Sequence, residues 1–247
     1  MKRLNILLLI LTLVAIIFAA TSIILPWWSL SLSAEAKIIL NSDFRVDYGL
    51  LKSVRATLAT QTANQSMTVE LINLTSQKDP NADSFKFMDT TLTLVIVGLA
   101  LSIPLVIAMI MPQLSRYRRY IAIIGYLSSV ILFISSFYFV SQVAGPISQL
   151  SSLTPISTPT DWVRISPTDI TGAWGSKAIP PTSPLLVWVN SGNFWVWQPS
   201  LGWYLAFSSA LLIALASLTL HLNLELEKKQ EMAQEHRMLG AEESTNR

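Results

Sequence analysis

The chain contains no cysteine, only two histidines and few charged residues. Without cysteine it forms no disulfide, thiolate nucleophile, iron–sulfur cluster or cysteine-ligated zinc site. Charged residues make up 13% of its 247 residues, whereas a soluble domain contains roughly 25%. Hydrophobic residues make up 51%, so charge is too scarce to cover a water-exposed surface. This composition excludes a disordered chain, argues against a soluble enzyme and indicates an integral membrane protein.

Four long windows contain no Asp, Glu, Lys or Arg, and each holds an apolar run of about the 20 residues that a helix needs to cross the hydrocarbon core. The windows are residues 4–34, 90–115, 120–160 and 178–224. We therefore predict a mostly α-helical membrane protein with a four-transmembrane-helix bundle. The predicted membrane segments, the first including a short N terminus, are residues 1–24, 90–111, 120–143 and 201–222.

Basic residues near the ends of the spans predict the orientation. Eight of them fall on one side of the four-span arrangement: Lys2, Arg3, Arg116, Arg118, Arg119, Lys228, Lys229 and Arg237. Because Lys and Arg near span ends favour the cytoplasmic side, both termini are expected to be cytoplasmic in a plasma-membrane protein. Residues 112–119 are then a short basic cytoplasmic loop, and residues 223–247 form a cytoplasmic tail. From Glu225 onward this tail is expected to extend the fourth span as a helix and then to fray.

The first span has a second interpretation, as a cleaved signal peptide. Ala20-Thr21-Ser22 resembles a cleavage site, and Lys2-Arg3 resembles the basic start of such a peptide. The apolar run continues through Leu25, however, and is longer than the usual hydrophobic region of a signal peptide. An uncleaved first span is the favoured interpretation, and cleavage stays open as the alternative.

The first external segment, residues 25–89, predicts a small β-sheet. Apolar and polar residues alternate in Phe44–Tyr48 and again in Met67–Leu71, which is the pattern of strands with one apolar face. Three or four strands are expected, so the predicted fold is a helix bundle with a small extracellular antiparallel β-sheet. Asn64 and Asn73 each begin a glycosylation sequon, which agrees with an external position.

The second external segment, residues 144–200, is rich in proline and tryptophan. A turn sequence separates the apolar runs 185–189 and 194–197 and predicts a β-hairpin. Exposed aromatic patches mark interfaces, so we expect five tryptophans to contact a partner: Trp27, Trp28, Trp188, Trp195 and Trp197. The alternative is structural: Trp27 and Trp28 anchor the chain among the headgroups, and the hairpin tryptophans pack on the sheet or enter the membrane.

Small residues recur at four-residue spacing within the predicted spans. They are Gly98 and Ser102, Gly125 and Ser129, and Ala206, Ala210 and Ala214. Helices in lipid associate through small residues, because these let the two backbones approach closely. The pattern predicts that the four spans pack into a compact bundle.

The spans contain no acidic or basic side chain and no internal histidine. Proton relays, ion pumps and voltage sensors need ionisable groups at membrane depth. Haem ligation needs a histidine pair, and His221 and His236 both lie at or beyond the cytoplasmic end. An external catalytic triad lacks its histidine, and the net charge of +2 offers no basic field to nucleic acid. We therefore expect no enzyme activity, no catalytic, cofactor-binding or metal site, and no nucleic-acid partner.

The layout resembles the claudin and peripheral-myelin-protein group of four-span membrane proteins. The local match is Pro26-Trp27-Trp28 directly after the first span, with Gly49-Leu50-Leu51 where the group has Gly-Leu-Trp. The group's following cysteine pair is absent, so packing alone must hold the first external loop. The resemblance implies cytoplasmic termini and a small sheet in that loop, that is, a claudin-like fold without its barrier function.

The leading hypothesis for function is a non-enzymatic four-span protein that acts through its external segments, in cell-surface adhesion or lateral membrane assembly. A second hypothesis is an accessory structural subunit of a larger respiratory or transport complex, held through the uncharged helix faces. A third is a lipid-binding membrane protein that uses an external cleft. The expected partners are membrane lipid and either a second copy or another membrane protein.

Overall fold

Four helices contain most of the residues that the structure, a computed structural model, describes: 2–35, 41–51, 54–62, 65–73, 86–111, 117–143, 172–178 and 194–245. The helices are α1 (Lys2–Ile24), α2 (Lys86–Ile110), α3 (Arg118–Gln142) and α4 (Leu201–Thr245). Each is long and apolar enough to cross a membrane. This confirms the predicted class: a mostly helical protein with four helices capable of spanning a membrane and a small antiparallel sheet.

Two helix bounds differ from the predicted spans. α2 begins at Lys86 rather than at residue 90, and α4 continues past residue 222 to Thr245. The spans are helical because a helix satisfies its own backbone N–H and C=O groups where there is no water. The additional residues of α4 are rich in Glu, Lys, Gln and Met, which form helices readily in water, so the helix continues beyond the apolar stretch.

The helices form a ring in which α1 contacts α2 and α4, and α3 contacts α2 and α4. Buried residues recur along α3 at three- and four-residue spacing, as at Gly125, Ser129, Leu132 and Ser136. Such spacing turns one stripe of a helix toward its neighbours. The opposite stripes expose Ile, Leu and Val side chains, which is the surface that lipid would cover.

One antiparallel sheet lies at the end of the bundle where α1 ends and α4 begins. Its strands are β1 (Pro26–Glu35), β2 (Asn41–Gly49), β3 (Val54–Thr62), β4 (Gln65–Asn73), β5 (Gly175–Ala178) and β6 (Phe194–Pro199). They are ordered β4-β3-β2-β1-β6-β5. Residues 25–89 supply four adjacent strands, and residues 144–200 extend the sheet with two more.

The predicted hairpin between residues 185–189 and 194–197 is wrong. β6 pairs with β1 on one side and with β5 on the other, and both ladders cover residues 194–197. No edge of β6 is therefore free for residues 185–189, which lie outside the described part of the chain. Alternation and turn signals identify a strand, but they do not identify a partner about 165 residues away in sequence, as Trp195 and Leu32 show.

A β-bulge at Trp27 interrupts the start of β1. Pro26 lies opposite Gly49 of β2 while Trp28 lies opposite Tyr48, so Trp27 is an extra residue in the ladder. A regular strand turns adjacent side chains to opposite faces, whereas a bulge bends the strand and redirects them. Trp27 and Trp28 are both completely buried, and the bulge is the local feature that accompanies this arrangement.

Candidate functional site

Four tryptophans belong to the buried cluster at the junction of the sheet and the helix bundle, and each indole N–H donates to a backbone carbonyl oxygen of another segment or turn. The pairs are Trp27 to Ser22 at 2.6 Å, Trp28 to Ala173 at 2.9 Å, Trp197 to Gly172 at 3.1 Å and Trp203 to Ser136 at 2.9 Å. A buried indole needs such a partner, because an unpaired buried N–H costs free energy. The junction is therefore both apolar and hydrogen-bonded.

The side chains of Trp27, Trp28 and Trp197 are buried within the chain, with exposed fractions of 0%, 0% and 4%. The expectation that these three contact a partner is wrong, because no face of their rings is open to one. Trp197 packs on the sheet, as its structural alternative predicted, whereas Trp27 and Trp28 lie inside the protein rather than among the headgroups. Burial in the core follows from the size of the indole ring, which contributes more apolar area than any other side chain.

Trp27 lies where β1, α3 and α4 meet. Its ring meets Phe139 of α3 edge to face, with centroids 5.1 Å apart, and its carbonyl oxygen accepts the N–H of Ser200 at 2.8 Å. Gly202 approaches so closely that a methyl group there would lie 2.7 Å from both the Trp27 ring and the Leu25 carbonyl oxygen. The start of α4 is thus seated against the start of β1 without space for a larger side chain.

Trp28 and Trp197 fasten the turn at residues 172–174, since both donate to its carbonyl oxygens. Gly175 lies directly against the Trp197 ring, and a methyl group there would overlap it. Trp28 also meets Tyr48 of β2 edge to face at 5.5 Å. Tyr48 is 5% exposed, and burial raises the pKa of its phenol. The turn is thus tied to the adjacent strands β1 and β6.

Four other predicted positions lie at the limits of the described part of the chain or outside it. Trp195 is a residue of β6, whereas Trp188 and Asn64 lie outside the described residues. Asn73 is the last residue of β4. The contact role of the two tryptophans and the glycosylation of the two asparagines therefore stay predictions.

Three of the predicted small residues, Gly98, Gly125 and Ser129, lie where the helices contact. A methyl group on Gly98 would lie 2.7 Å from Leu132 of α3, and one on Gly125 would overlap Ser217 of α4. Ser129 of α3 donates to the Ala210 carbonyl oxygen at 2.8 Å.

The remaining predicted small residues differ in burial. Ser102 is fully buried and donates to Leu99 within its own helix. Ala206 is also fully buried, whereas Ala214 is only half-buried and lies off the packed stripe of α4.

Serine hydroxyls form helix-to-helix hydrogen bonds that the sequence analysis missed. Ser128 of α3 donates to the Gly98 carbonyl oxygen at 2.6 Å, and Ser209 of α4 donates to the Ala15 carbonyl oxygen at 2.7 Å. Both pairs join backbones brought together by a Gly or Ala, so hydroxyl and small residue act as one contact. The available signal was the recurrence of serine within uncharged spans, where a hydroxyl needs a partner.

The described residues contain no group of three or more His, Asp or Glu side chains that would hold a metal ion. Arg45 and Asp47 on β2 form an ion pair with an Nε–Oδ1 distance of 2.8 Å. Both side chains belong to one face of a strand, two residues apart. The chemistry of this junction is thus packing and hydrogen bonding, which serve to hold one element against another.

The chain matches no protein-family model, and no curated protein matches it significantly. Within its described residues the protein has four helices able to span a membrane and a six-stranded antiparallel sheet at one end of them.

Proposed function

We propose that the protein is a non-enzymatic, claudin-like four-span protein of the plasma membrane, with both termini in the cytoplasm. It acts through its external sheet in lateral assembly or cell-surface adhesion, with a second copy or another membrane protein as partner. The observation that carries the proposal is a sheet fastened to the bundle that ends in a nine-residue edge strand, β4.

The fastening matters because a binding surface works best when its geometry is fixed in advance. A single residue, Leu25, separates α1 from β1. β1 also contacts α4, and the ring of Trp27 in β1 packs against Phe139 of α3. These contacts restrict rotation of the sheet relative to the helix bundle. It is presented at a constant angle to the membrane, so neighbouring copies would meet in a reproducible orientation.

The edge strand supplies the means of assembly. In the described part of the chain β4 pairs only with β3. An edge strand offers a row of backbone N–H and C=O groups that readily pair with another strand. Two copies anchored in the same membrane would bring equivalent edges together at a high local concentration. We propose antiparallel pairing of β4 with β4 as the lateral contact.

Introduced cysteines test this contact, because the native chain has none. Thr68→Cys is at the middle of β4. In membranes treated with a mild oxidant, it should give a disulfide-linked dimer, since equivalent residues near a two-fold axis of paired strands approach within disulfide range. Ser66→Cys and Glu70→Cys extend the scan to other registers.

Arg45→Cys is the matched control, because β2 is flanked by β1 and β3 and its cysteine is remote from any β4 edge contact. Dimer at a β4 position without dimer at residue 45 supports the proposal. Absence of dimer across the β4 scan, or equal dimer at residue 45 from random collision, contradicts it.

A second candidate function is an accessory subunit of a larger membrane complex, and the length of α4 favours it. Its 45 residues extend about 67 Å, more than twice the roughly 30 Å of the hydrocarbon core. Leu226 and Met232 are exposed on this extension, where a partner subunit would cover them. Deletion from residue 226 onward should abolish co-purification of a foreign subunit at fixed stoichiometry, whereas the β4 variants should not.

A further inference from the structure

A shallow groove of about 470 Å³ runs along the outer surface of α3. Its lining is formed by Val130, Phe133, Ile134, Phe137, Tyr138 and Ser141. None of these side chains carries a charge, and five of the six are apolar or aromatic. Ile134 and Phe137 are 51% and 60% exposed, so within the described part of the chain the groove opens away from the bundle.

Aromatic rings are concentrated beside this groove. Phe207 of α4 meets Phe133 at 5.2 Å and Phe137 at 6.1 Å, both edge to face. Trp203 stacks on Phe207 at 5.3 Å, and Trp174 meets Trp203 edge to face at 5.7 Å. The large exposed apolar side chains of α1 and α2 are, by contrast, all Ile, Leu or Val. Each such ring pair contributes about 0.5–1.5 kcal/mol beyond its area burial, which stabilises this aromatic wall.

The length of the groove along the α3 axis matches the thickness of the hydrocarbon region in one leaflet of a bilayer. Ser141 is the penultimate residue of α3, at the end that joins the sheet. Val130 lies eleven residues earlier, about 16 Å along the helix axis. Half of a hydrocarbon core is about 15 Å. A partner helix would need a complementary face along the whole span, whereas this groove extends over the half nearest the sheet.

The polar groups sit at the outer end of the groove. Ser141 donates to the Tyr138 carbonyl oxygen at 2.7 Å and accepts a long contact of 3.5 Å from the Gln142 amide. The inner end at Val130 and Ile134 is wholly apolar. This gradient, polar at the interface and apolar toward the midplane, is the gradient of a lipid molecule in its leaflet.

We infer that the groove holds one hydrocarbon chain of a lipid from the leaflet on the side of the sheet. The chain lies along α3 between Val130 and Ser141 and packs against the Phe133–Phe137–Phe207 wall. The protein selects an apolar chain by shape rather than a headgroup by charge. The inference is independent of what the sheet contacts, because none of the lining residues belongs to the sheet.

Native mass spectrometry tests the inference on the full chain. The protein is reconstituted into vesicles of dioleoyl phosphatidylcholine, re-extracted in mild detergent and washed. The wild type should retain one phospholipid per chain. Ile134→Phe fills the groove from an exposed position, and the retained fraction should fall about tenfold, because blocking even two or three methylene groups removes that much apolar burial.

Ile123→Phe is the matched control, since Ile123 is equally exposed on α3, at 55%, but does not line the groove. It should retain lipid as the wild type does, and Val130→Phe should repeat the loss seen with Ile134→Phe. Three results would overturn the inference. They are a wild type that retains no lipid, an equal loss of lipid in Ile123→Phe, and a wild-type protein dimer, in place of a lipid adduct, that is lost in Ile134→Phe.

Discussion

The indole N–H of Trp203, in the first turn of α4, donates a 2.9 Å hydrogen bond to the carbonyl oxygen of Ser136 in α3. Both residues are buried, and the Trp203 ring also stacks on Phe207. This single contact places the beginning of α4 relative to the end of α3, close to where the sheet is attached.

Trp203→Phe should separate the hydrogen bond from the packing, because the phenyl ring keeps most of the stacking surface. We expect a loss of about 1 kcal/mol in the free energy of unfolding, the usual size of a buried hydrogen bond between helices. Denaturant unfolding in detergent micelles measures it. Trp174→Phe is the control, since Trp174 is 51% exposed, and its effect should stay within about 0.5 kcal/mol. Equal losses in both variants would contradict the role of the hydrogen bond.

Gly125→Ala should destabilise the bundle by about 1–3 kcal/mol, as overpacking does. The added methyl group would overlap the Ser217 hydroxyl and lie 2.7 Å from Leu105 Cδ1. Thermal unfolding in detergent reports the change. Gly172→Ala has open space, with its nearest neighbour at 3.9 Å, and should be nearly neutral. A neutral Gly125→Ala would show that α3 and α4 are less closely packed than described.

Ser217→Ala and Ser129→Ala should have different effects, although both serines are buried in the bundle. In the described part of the chain Ser217 Oγ is buried without a hydrogen-bond partner, so its removal should be neutral or stabilising by up to about 1 kcal/mol. Ser129→Ala removes the hydrogen bond to the Ala210 carbonyl oxygen and should lower the free energy of unfolding by about 0.6–1.7 kcal/mol. Denaturant unfolding of the two variants under the same conditions measures the difference. Equal losses of unfolding free energy in both would contradict the prediction.

The proposed orientation predicts which residues react from outside intact cells. Ser176→Cys, exposed on β5, should be labelled by a membrane-impermeant maleimide without permeabilisation. Gln230→Cys, exposed on the α4 extension, should react only after the membrane is opened. Because the native chain has no cysteine, each variant reports one site. The reverse labelling pattern would place the termini outside.

The buried phenol of Tyr48 should make the sheet less stable at alkaline pH. Burial raises the pKa of its phenol above the unfolded value of about 10, so the folded state holds this proton more tightly. The stabilisation is therefore complete below pH 10 and decreases above it, by about 1.4 kcal/mol per pH unit. Tyr48→Phe removes the ionisable group. Near-ultraviolet circular dichroism should show the two proteins diverging above pH 10, whereas parallel curves would contradict the burial of the phenol.

Much of the helical layout was predictable because exclusion of charge from lipid is a local property. Each uncharged window corresponds to one helix, since an ionised side chain at membrane depth is costly. Strand positions such as Phe44–Tyr48 and Met67–Leu71 were visible for a similar reason: alternation records which face is buried. The expected helical continuation of the fourth span reaches Thr245, because leaving the membrane does not require a helix to stop.

The tryptophans show where sequence reasoning was insufficient. Aromatic residues such as Trp27 and Trp28 are typical of exposed interfaces, but Phe139 and Gly202 pack against Trp27, and Ala173 and Tyr48 contact Trp28. The hairpin error has the same origin, because β6 takes its partners from β1 and β5. Pairing between distant segments depends on how the whole sheet assembles, which no local window contains.

The pattern of apolar and charged residues was enough to predict four apolar helices and a small sheet, because hydrophobic burial and the cost of ionised groups in lipid act residue by residue. The inward orientation of the indoles of Trp27, Trp28 and Trp197, the contact of Ser128 with Gly98 and the aromatic lining of a groove on α3 became visible only in the folded chain. Those features depend on distances between segments remote in the chain. The low charge that first indicated a membrane protein thus leaves packing and hydrogen bonding to define its surfaces.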